Sequence, residues 1–285
     1  MNRRSLLKNI SAASLTPFLP LPSTTTSLTL SSERKFKHSV CRWCYNNFTL
    51  EELCDVAIDC GIQSIELLNP NEWDTVLSRG LKVALSNGSP LGITKGWNDP
   101  NLHQQLQNDL LDIIPKAADK GIGQIIVFSG NRNGLPDFQG LEFCAMGLDP
   151  VVKAAEHYNV RIIMELLNSK INHIDYQCDH TSWGVSLVDK IGSPNFKLLY
   201  DIYHMQIMEG DVIRTITDYK DYIAHFHTGG VPGRHEIDET QELYYPAIMN
   251  AIVANGFDGY VAQEFVPAGK DPAKSLKEGV RICSV

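Results

Sequence analysis

The sequence has no long apolar run and no excess of basic residues. No stretch of its 285 residues reaches the roughly 18 consecutive apolar residues that a transmembrane helix needs. The formal net charge is -8 at pH 7, whereas surfaces that bind nucleic acid carry a basic patch or stripe. We therefore expect no membrane span and no nucleic-acid partner.

A regular cysteine framework is also missing. The seven cysteines are odd in number and irregularly spaced, which argues against a set of disulfides. Cys41 and Cys44 have CxxC spacing, but they fall in a segment predicted to be extended, where positions i and i+3 point to opposite faces. We interpret the cysteines as buried apolar side chains rather than as a metal or redox pair.

The first 35 residues differ from the rest of the chain. The stretch NRRSLLK at residues 2–8 resembles a twin-arginine export signal and precedes a tail rich in Pro, Ser and Thr. The alternative is an N-terminal tail without a targeting role. We treat residues 1–35 as a signal-like segment outside the fold. The expected location is periplasmic if the signal acts, and cytoplasmic otherwise.

Residues 36–285 alternate short β-branched runs with amphipathic helical patterns. Eight runs predict strands: His38–Tyr45, Ser64–Asn69, Lys82–Gly88, Gln124–Gly130, Arg161–Asn168, Phe196–His204, Ile223–Gly230 and Gly259–Phe265. Near-continuous apolar strands alternating with helices are typical of a parallel sheet covered by helices. Eight such units in about 250 residues match the size of a (β/α)8 TIM barrel.

The first helical pattern opens with a capping box, Thr49 to Glu52, and ends at Gly61. Further helices are predicted near 71–79, 101–120, 138–158, 180–191, 206–219, 241–255 and 271–282. An open doubly wound sheet would usually carry a glycine-rich phosphate loop after its first strand, and YNNFT at 45–49 offers none. The prediction is an α/β fold, a single barrel of parallel strands over residues 36–285.

Several predicted strands end in side chains that can do chemistry. KLLYDIYHMQ at 197–206 runs from an apolar stretch into Asp201 and then His204. Glu165, His227 and Glu264 end three other strands in the same way. Because all strands of a parallel barrel end on one rim, we expect these side chains to meet there. Glu66 ends the second strand, and its role stays open.

Taken singly, each of these residues has an ordinary explanation as a helix cap or a packed histidine. Three converging carboxylates without a counter-ion, however, would repel one another and raise their pKa values. A divalent cation removes that repulsion. Three carboxylates and one imidazole suit Mn²⁺, Mg²⁺ or Co²⁺ in octahedral coordination rather than a structural zinc site.

With this constellation the chain resembles the xylose-isomerase-like TIM barrel superfamily, and within it the hydroxypyruvate isomerase branch. The similar stretches are VFSGNRNG at 127–134, MELLNSKINHIDY at 164–176, YDIYHMQIMEGD at 200–211 and HTGGVPGRHEID at 227–238. The resemblance implies that Glu165, Asp201, His227 and Glu264 are the metal ligands. It also implies that His204 and Arg234 bind substrate oxygens.

Two features depart from the pattern of that branch. Its members often carry glutamine where this chain has His227, whereas the related ketose 3-epimerases carry histidine. The signal-like N-terminus is the second departure, since the familiar members are cytoplasmic. The first departure bears on the substrate and leaves the metal site unaffected.

The chemistry expected of such a site is isomerisation of a small hydroxycarbonyl compound through an enediolate. The cation would act as a Lewis acid, and Glu165 and Glu264 would move protons on its two sides. His204, Arg234 and Asn168 are predicted to contact the substrate, with Trp43 packing over it. For Arg234 the alternative is a surface position in a Pro-Gly turn, and for His235 and Glu236 both interpretations stay open.

The resemblance implies interconversion of hydroxypyruvate and 2-hydroxy-3-oxopropanoate (tartronate semialdehyde). The alternatives are a ketose 3-epimerase or sugar isomerase of the same superfamily, or a barrel that binds a sugar acid without turning it over. A phosphodiester-cleaving relative is disfavoured by the net charge of -8. The partner is thus a small hydroxycarbonyl or sugar substrate, and a homo-oligomer is compatible with the sequence.

Overall fold

The computed structural model describes residues 36–285, and seven strands form one parallel sheet. The strands are β1 (Lys37–Cys41), β2 (Ser64–Glu66), β3 (Gln124–Val127), β4 (Arg161–Glu165), β5 (Phe196–Asp201), β6 (Ile223–Thr228) and β7 (Tyr260–Gln263). Their order in the sheet is β2-β1-β7-β6-β5-β4-β3. Strands that are consecutive in the chain are therefore neighbours in the sheet, except β2 and β3, which form its two edges, and the pairing of β1 with β7 curls the sheet toward a barrel.

Residues 82–88, predicted as the third strand, lie between β2 and β3 and connect the two edges of the sheet. On one side the Leu67 N–H donates to the carbonyl of Leu85 at 2.8 Å. On the other side the Ser86 N–H donates to the carbonyl of Gln124 at 3.0 Å. The segment fills the eighth position of the barrel, but too few ladder bonds form for a regular strand. The prediction of a regular strand here is wrong.

Nine α-helices lie within the described residues. They are α1 (Leu50–Asp59), α2 (Trp73–Ser78), α3 (His103–Asp119), α4 (Asp137–Tyr158), α5 (Thr181–Ile191), α6 (Ile202–Met208), α7 (Val212–Asp218), α8 (Tyr245–Ala254) and α9 (Pro272–Cys283). The predicted capping box opens α1, since Thr49 and Glu52 each accept the other's backbone N–H, at 3.2 and 2.7 Å. None of the nine is both long enough and apolar enough to cross a membrane.

All seven strands end earlier than predicted, and two of them, β1 and β5, end because the chain turns directly into a helix. β1 stops at Cys41, and a 3-10 helix follows over Arg42–Tyr45. The expectation that Cys44 lies in an extended segment is therefore wrong, although the seven cysteines, all within the described residues, are free. β5 stops at Asp201, whose carboxylate caps α6 by accepting the Tyr203 N–H at 2.8 Å. His204 consequently lies in α6 and not at the end of the predicted strand.

The predicted helix over 206–219 is two helices. α6 and α7 are separated by Gly210 and Asp211, whose φ angles are +65° and +42°. Two consecutive residues in the left-handed region cannot continue a right-handed helix. This break separates α6 from α7.

The apolar core has two layers. One fills the space between the sheet and the surrounding helices, and the other fills the barrel interior. The interior cluster consists of Leu85, Ile126, Ile163, Leu199 and Ala224, with Leu67 and Phe128 packed against it. It closes the barrel beneath the rim, so the carboxyl ends of the strands form the floor of a cavity and not the mouth of a pore.

Candidate active site

The ends of β4, β5, β6 and β7 bring four ionisable side chains together. Glu165, Asp201, His227 and Glu264, here called the ligand quartet, each place one ligand atom within 4.8 Å of the others. All four side chains are buried. These are the four residues that the strand-end pattern predicts to converge.

His227 has its two ring nitrogens in different surroundings. Nε2 lies 2.8 Å from Oε1 of Glu66, in hydrogen-bond geometry. Nδ1 lies 2.7 Å from Oε2 of Glu264 and 3.3 Å from Oε1 of Glu165. Neither Nδ1 nor that Glu165 oxygen has a hydrogen-bond partner among the described residues.

Buried polar atoms without partners are costly, and here they point at one another. An imidazole nitrogen and carboxylate oxygens are donors that suit a divalent cation such as Mn²⁺, Mg²⁺ or Co²⁺. The ligand quartet therefore fits the cation that the sequence predicts.

In the quartet, burial and neighbouring charges shift the pKa values in opposite directions. Burial raises the pKa of Asp201 to about 8, although the charge of Arg234 acts against it. Burial would lower the pKa of His227, but Glu264 outweighs it and raises that pKa well above the ordinary value. Burial also acts to raise the pKa of Glu264, and Arg234 and His227 reverse this and hold it well below its usual range. The quartet therefore retains protons that a cation would have to displace.

Arg234 is a site residue and not a surface arginine. Its Nη2 donates to Oδ2 of Asp201 at 2.9 Å and also contacts Glu264. Its guanidinium lies between two aromatic rings, 5.2 Å from the centroid of Trp43 and 5.1 Å from that of Tyr203, a cation–π arrangement. Its single positive charge contacts two of the three quartet carboxyl groups.

The loop after β6 holds Arg234 in place. Arg234 has a φ of +59°, in the left-handed region that few non-glycine residues adopt, and its carbonyl accepts the Val266 N–H at 2.7 Å. Farther along the loop, the Glu236 carboxylate accepts the backbone N–H groups of Ala268 and Gly269. Glu236 thus anchors the loop from outside and does not join the quartet.

The profile described as Xylose isomerase-like TIM barrel matches residues 54–284. The protein belongs to this family. Hydroxypyruvate isomerase of Escherichia coli (strain K12) is 37% identical over 224 residues, which are 74% of this chain and 85% of that protein. A 2-oxo-tetronate isomerase of Cupriavidus necator is 32% identical over 241 residues, which are 78% of this chain and 89% of that protein.

Among solved structures, the AP endonuclease, family 2 from Brucella melitensis superposes with a TM-score of 0.76. It is 24% identical, and the match covers 87% of this chain and 96% of that chain. At that identity the likeness shows the fold alone. The family predicted from the sequence is confirmed, and the curated relatives show this family member to be an isomerase of the aldose–ketose type.

Behind the quartet, this family member has a second buried layer that the sequence did not predict. Oε1 of Glu66 lies 2.8 Å from Nε2 of His225 and 2.8 Å from Nε2 of His227. On its other side, His225 places Nδ1 2.8 Å from Oε1 of Gln124. The Gln124 amide donates to the carbonyl of Ala224 at 3.2 Å, which leaves its oxygen free to accept from His225.

This second layer sets the tautomer of His227. Burial acts to raise the pKa of Glu66, but His225 and His227 lower it to about 2, so Glu66 is a carboxylate that can only accept. His227 must then donate through Nε2, so Nδ1 faces the quartet and offers it a lone pair once its own proton is displaced. A carboxylate behind a metal-binding histidine commonly has this effect. Two features of the sequence could have indicated this second layer: the position of Glu66 at a strand end, and the spacing that puts His225 and His227 on one face of a strand.

His204 and Asn168 lie behind Arg234. His204 is fully buried, and its Nε2 accepts from Nη1 of Arg234 at 2.8 Å. Its Nδ1 lies 2.5 Å from Nδ2 of Asn168, while the Asn168 oxygen accepts the Asn172 N–H at 2.9 Å. A neutral imidazole accepts at only one nitrogen, so both contacts cannot be made at once. Direct substrate contact by His204, Asn168 and Arg234 stays a prediction.

A cavity of about 1,040 Å³ opens above the quartet. Glu165, Glu264, Arg234 and His173 line one part of it. Trp43, predicted to pack over the site from the first strand, also lines the cavity but lies in the 3-10 helix after β1. Its Nε1 donates to Oε1 of Glu264 at 2.8 Å, which fixes the orientation of that carboxylate.

Proposed function

We propose that the protein is a metal-dependent isomerase that acts on an α-hydroxycarbonyl compound through an enediolate. The observation that carries the proposal is the buried quartet, in which Nδ1 of His227 and Oε1 of Glu165 face each other without hydrogen-bond partners. The first candidate reaction is the interconversion of hydroxypyruvate and 2-hydroxy-3-oxopropanoate, because a relative 37% identical is a hydroxypyruvate isomerase.

The four quartet residues would hold the cation. When bound, it supplies Lewis-acid stabilisation of the negative charge that develops on the substrate oxygens. Glu66 keeps the Nδ1 lone pair of His227 directed into the site. Trp43 holds one oxygen of Glu264, so that the other oxygen faces the quartet.

The two glutamates would carry the proton. Glu165 comes from β4 and Glu264 follows β7, so they enter the site from strands that lie three places apart in the sheet. A substrate carbon held between them has a carboxylate on each side. One glutamate removes the proton from this carbon, and the other protonates the neighbouring carbon or its oxygen. Positioned acid–base groups of this kind typically accelerate a reaction by about 10² to 10⁴-fold.

Solvent exchange tests this proposal directly. Protein reconstituted with Mg²⁺, Mn²⁺ or Co²⁺ is incubated with hydroxypyruvate in D₂O, quenched, freed of metal and examined by proton NMR. Deuterium should enter at the carbon that bears the hydroxyl, and Glu165→Gln should slow its entry by about 10² or more. Glu239→Gln is the matched control, because Glu239 is exposed and outside the site. Absence of exchange with every metal and every hydroxycarbonyl compound tried would overturn the proposal.

A ketose 3-epimerase is the second candidate. It is favoured by the presence of histidine at position 227, where the hydroxypyruvate isomerases that the chain resembles often carry glutamine. Exchange at C3 of a ketose such as D-fructose, without exchange into hydroxypyruvate, would select this function. Binding of either compound without exchange would instead indicate a barrel that binds and does not catalyse.

A further inference from the structure

We infer that the substrate carries an uncharged apolar substituent next to its hydroxycarbonyl end, and that one half of the cavity binds it. The inference rests on the proposed isomerisation of an α-hydroxycarbonyl compound, which places the reacting end at the quartet, and it favours an uncharged substrate over the first candidate, hydroxypyruvate. The half concerned is here called the apolar wall. It consists of Leu67, Pro70, Pro90, Ile93, Ile113 and Phe128.

The size of the cavity is the first observation. Its volume of about 1,040 Å³ lies at the upper end of the roughly 300 to 1,000 Å³ typical of sites that enclose drug-sized ligands. A three-carbon acid held at the quartet would leave most of that space to water.

The distribution of residues around the rim is the second observation. The ends of β4 to β7 contribute the quartet, whereas β2, residues 82–88 and β3 contribute no charged side chain to the cavity lining that the structure describes. On that side the polar lining groups are uncharged, as at Asn87 and Ser89. The wall also rests on the apolar cluster of the barrel interior, against which Leu67 and Phe128 pack.

The charges of the lining are the third observation. Arg234 is the one lysine or arginine among the described residues that line the cavity. Its guanidinium donates to Asp201, Glu264 and His204, so no bidentate face is left for a substrate carboxylate. Glu165 and Glu264, the acidic residues of the lining, provide no positive charge either. A substituent beyond the reacting end therefore meets no free cation, which favours an uncharged group.

The backbone at Leu67 is the fourth observation. Leu67 follows β2 with a φ of +57°, a region in which a γ-branched residue is unusual. The strain is sustained by two bonds, from the Leu67 N–H to Leu85 at 2.8 Å and from the Asn87 side chain to the Leu67 carbonyl at 3.1 Å. Strained residues cluster at ligand sites. Here the strain places an apolar side chain at the edge of the cavity floor.

Three probes that share one reacting end test the inference. Hydroxyacetone, 1-hydroxy-4-phenylbutan-2-one and hydroxypyruvate all have the form R–CO–CH₂OH, where R is methyl, phenylethyl or carboxylate. Their dissociation constants are measured by calorimetry on the Mg²⁺-loaded and the metal-free protein. The phenylethyl compound should bind at least about tenfold more tightly than hydroxyacetone in both forms, because burial of its ring removes apolar surface from water.

Two variants assign that preference to the apolar wall. Leu67→Asn suits the left-handed backbone, since asparagine adopts it readily, and Phe128→Asn alters the wall from the β3 side. Both should reduce the phenylethyl preference, taken as the ratio of the affinities for the phenylethyl compound and hydroxyacetone, to about twofold or less. Ile171→Asn, an exposed rim position that does not line the cavity, should keep the full preference.

The inference is overturned if hydroxypyruvate binds most tightly, if the three compounds bind alike, or if the preference survives both wall variants. Failure of the proposed function has a different signature. In that case none of the three probes incorporates deuterium, whatever their order of affinity.

Discussion

At the scale of single residues, the second partner of each quartet side chain decides what the side chain can do. His227 can present a lone pair to a cation because Glu66 accepts its other N–H. Asp201 divides its oxygens in a similar way. Oδ1 caps α6 through the Tyr203 N–H, whereas Oδ2 faces Arg234 and the quartet.

Glu66→Gln should therefore weaken metal binding although Glu66 is outside the quartet. A glutamine can still accept from His227, but it removes the charge that stabilises the donating tautomer. We expect the Mn²⁺ affinity to fall about 10 to 100-fold, as for other residues that orient a metal-binding histidine. Calorimetry with Mn²⁺ gives the affinity, and Glu239→Gln serves as the exposed control. An unchanged affinity together with a lower melting temperature would reduce Glu66 to a packing role.

Asp201→Asn and His204→Ala should affect the protein differently. The asparagine keeps an oxygen that can cap α6 but loses a charged ligand, so the Mn²⁺ affinity and the melting-temperature increase produced by the metal should both fall sharply. The alanine removes a partner of Arg234, so it should keep the metal and lose activity or raise KM. Calorimetry and thermal melts with and without Mn²⁺ separate the two effects. Loss of metal by His204→Ala would make His204 a ligand.

At the scale of elements, a buried ion pair connects the segments that follow β3 and β4. Arg132, after β3, donates to Asp179, in the segment after β4, at 2.8 Å. Asp179 also accepts from the hydroxyl of Ser169, four residues after β4. These contacts tie together two segments that begin at the rim of the active site.

Asp179→Asn should destabilise the fold in a pH-dependent way. Burial acts to raise the pKa of Asp179, but hydrogen bonds from Arg132 and Ser169 lower it. A carboxylate with a lowered folded-state pKa stabilises the fold above its unfolded pKa of about 3.9, and this stabilisation is lost as the pH falls through the folded value. We expect a loss of roughly 3 kcal/mol in the free energy of unfolding at pH 7, from breaking a buried pair.

Urea unfolding of the parent and of Asp179→Asn from pH 7 down to pH 3 measures this loss. The difference should be full at pH 7 and should shrink below about pH 4. Asp137→Asn is the matched control, because Asp137 also pairs with Arg132, at 3.0 Å, but its side chain is 59% exposed. That exposed pair should contribute about 1 kcal/mol or less. Equal losses in the two variants would contradict the account.

At the scale of the whole molecule, the barrel concentrates charge at one end of its interior. The quartet and Arg234 lie at the carboxyl ends of the strands, and Glu66 and His225 continue the buried polar groups toward Gln124 at the start of β3. Burial of so many ionisable groups is costly without compensation. Arg234 and retained protons compensate in part, and a bound cation would complete the balance.

Metal binding should therefore release protons and strengthen as the pH rises. His227 has a pKa well above its ordinary value and Asp201 one of about 8, so near neutral pH both carry protons that a cation must displace. The apparent Mn²⁺ affinity should rise from pH 6 to about pH 8. Calorimetry in two buffers of different ionisation enthalpy counts the protons released. An affinity that does not change with pH would show that the quartet is already deprotonated.

The sequence alone determined the parts of the site that follow from local periodicity. Alternation of apolar strands with amphipathic helices predicted a parallel barrel, and parallel strands end on one rim. Glu165, Asp201, His227 and Glu264 could therefore be grouped from their places at strand ends. The grouping needed no side-chain detail, because the two-residue period of a strand and the common direction of all the strands fixed it.

What only the tertiary structure decided depends on contacts between distant segments. The sequence of residues 82–88 predicts a strand, but these residues form only isolated bridges with β2 and β3. Glu66 is hydrogen-bonded to His225 and His227, which lie about 160 residues away along the chain. Arg234 reaches the quartet because its backbone has a positive φ angle, which the sequence of the loop after β6 does not predict. Hydrogen bonds and packing between distant segments set these features. They cannot be predicted from the spacing of residues along one strand or helix.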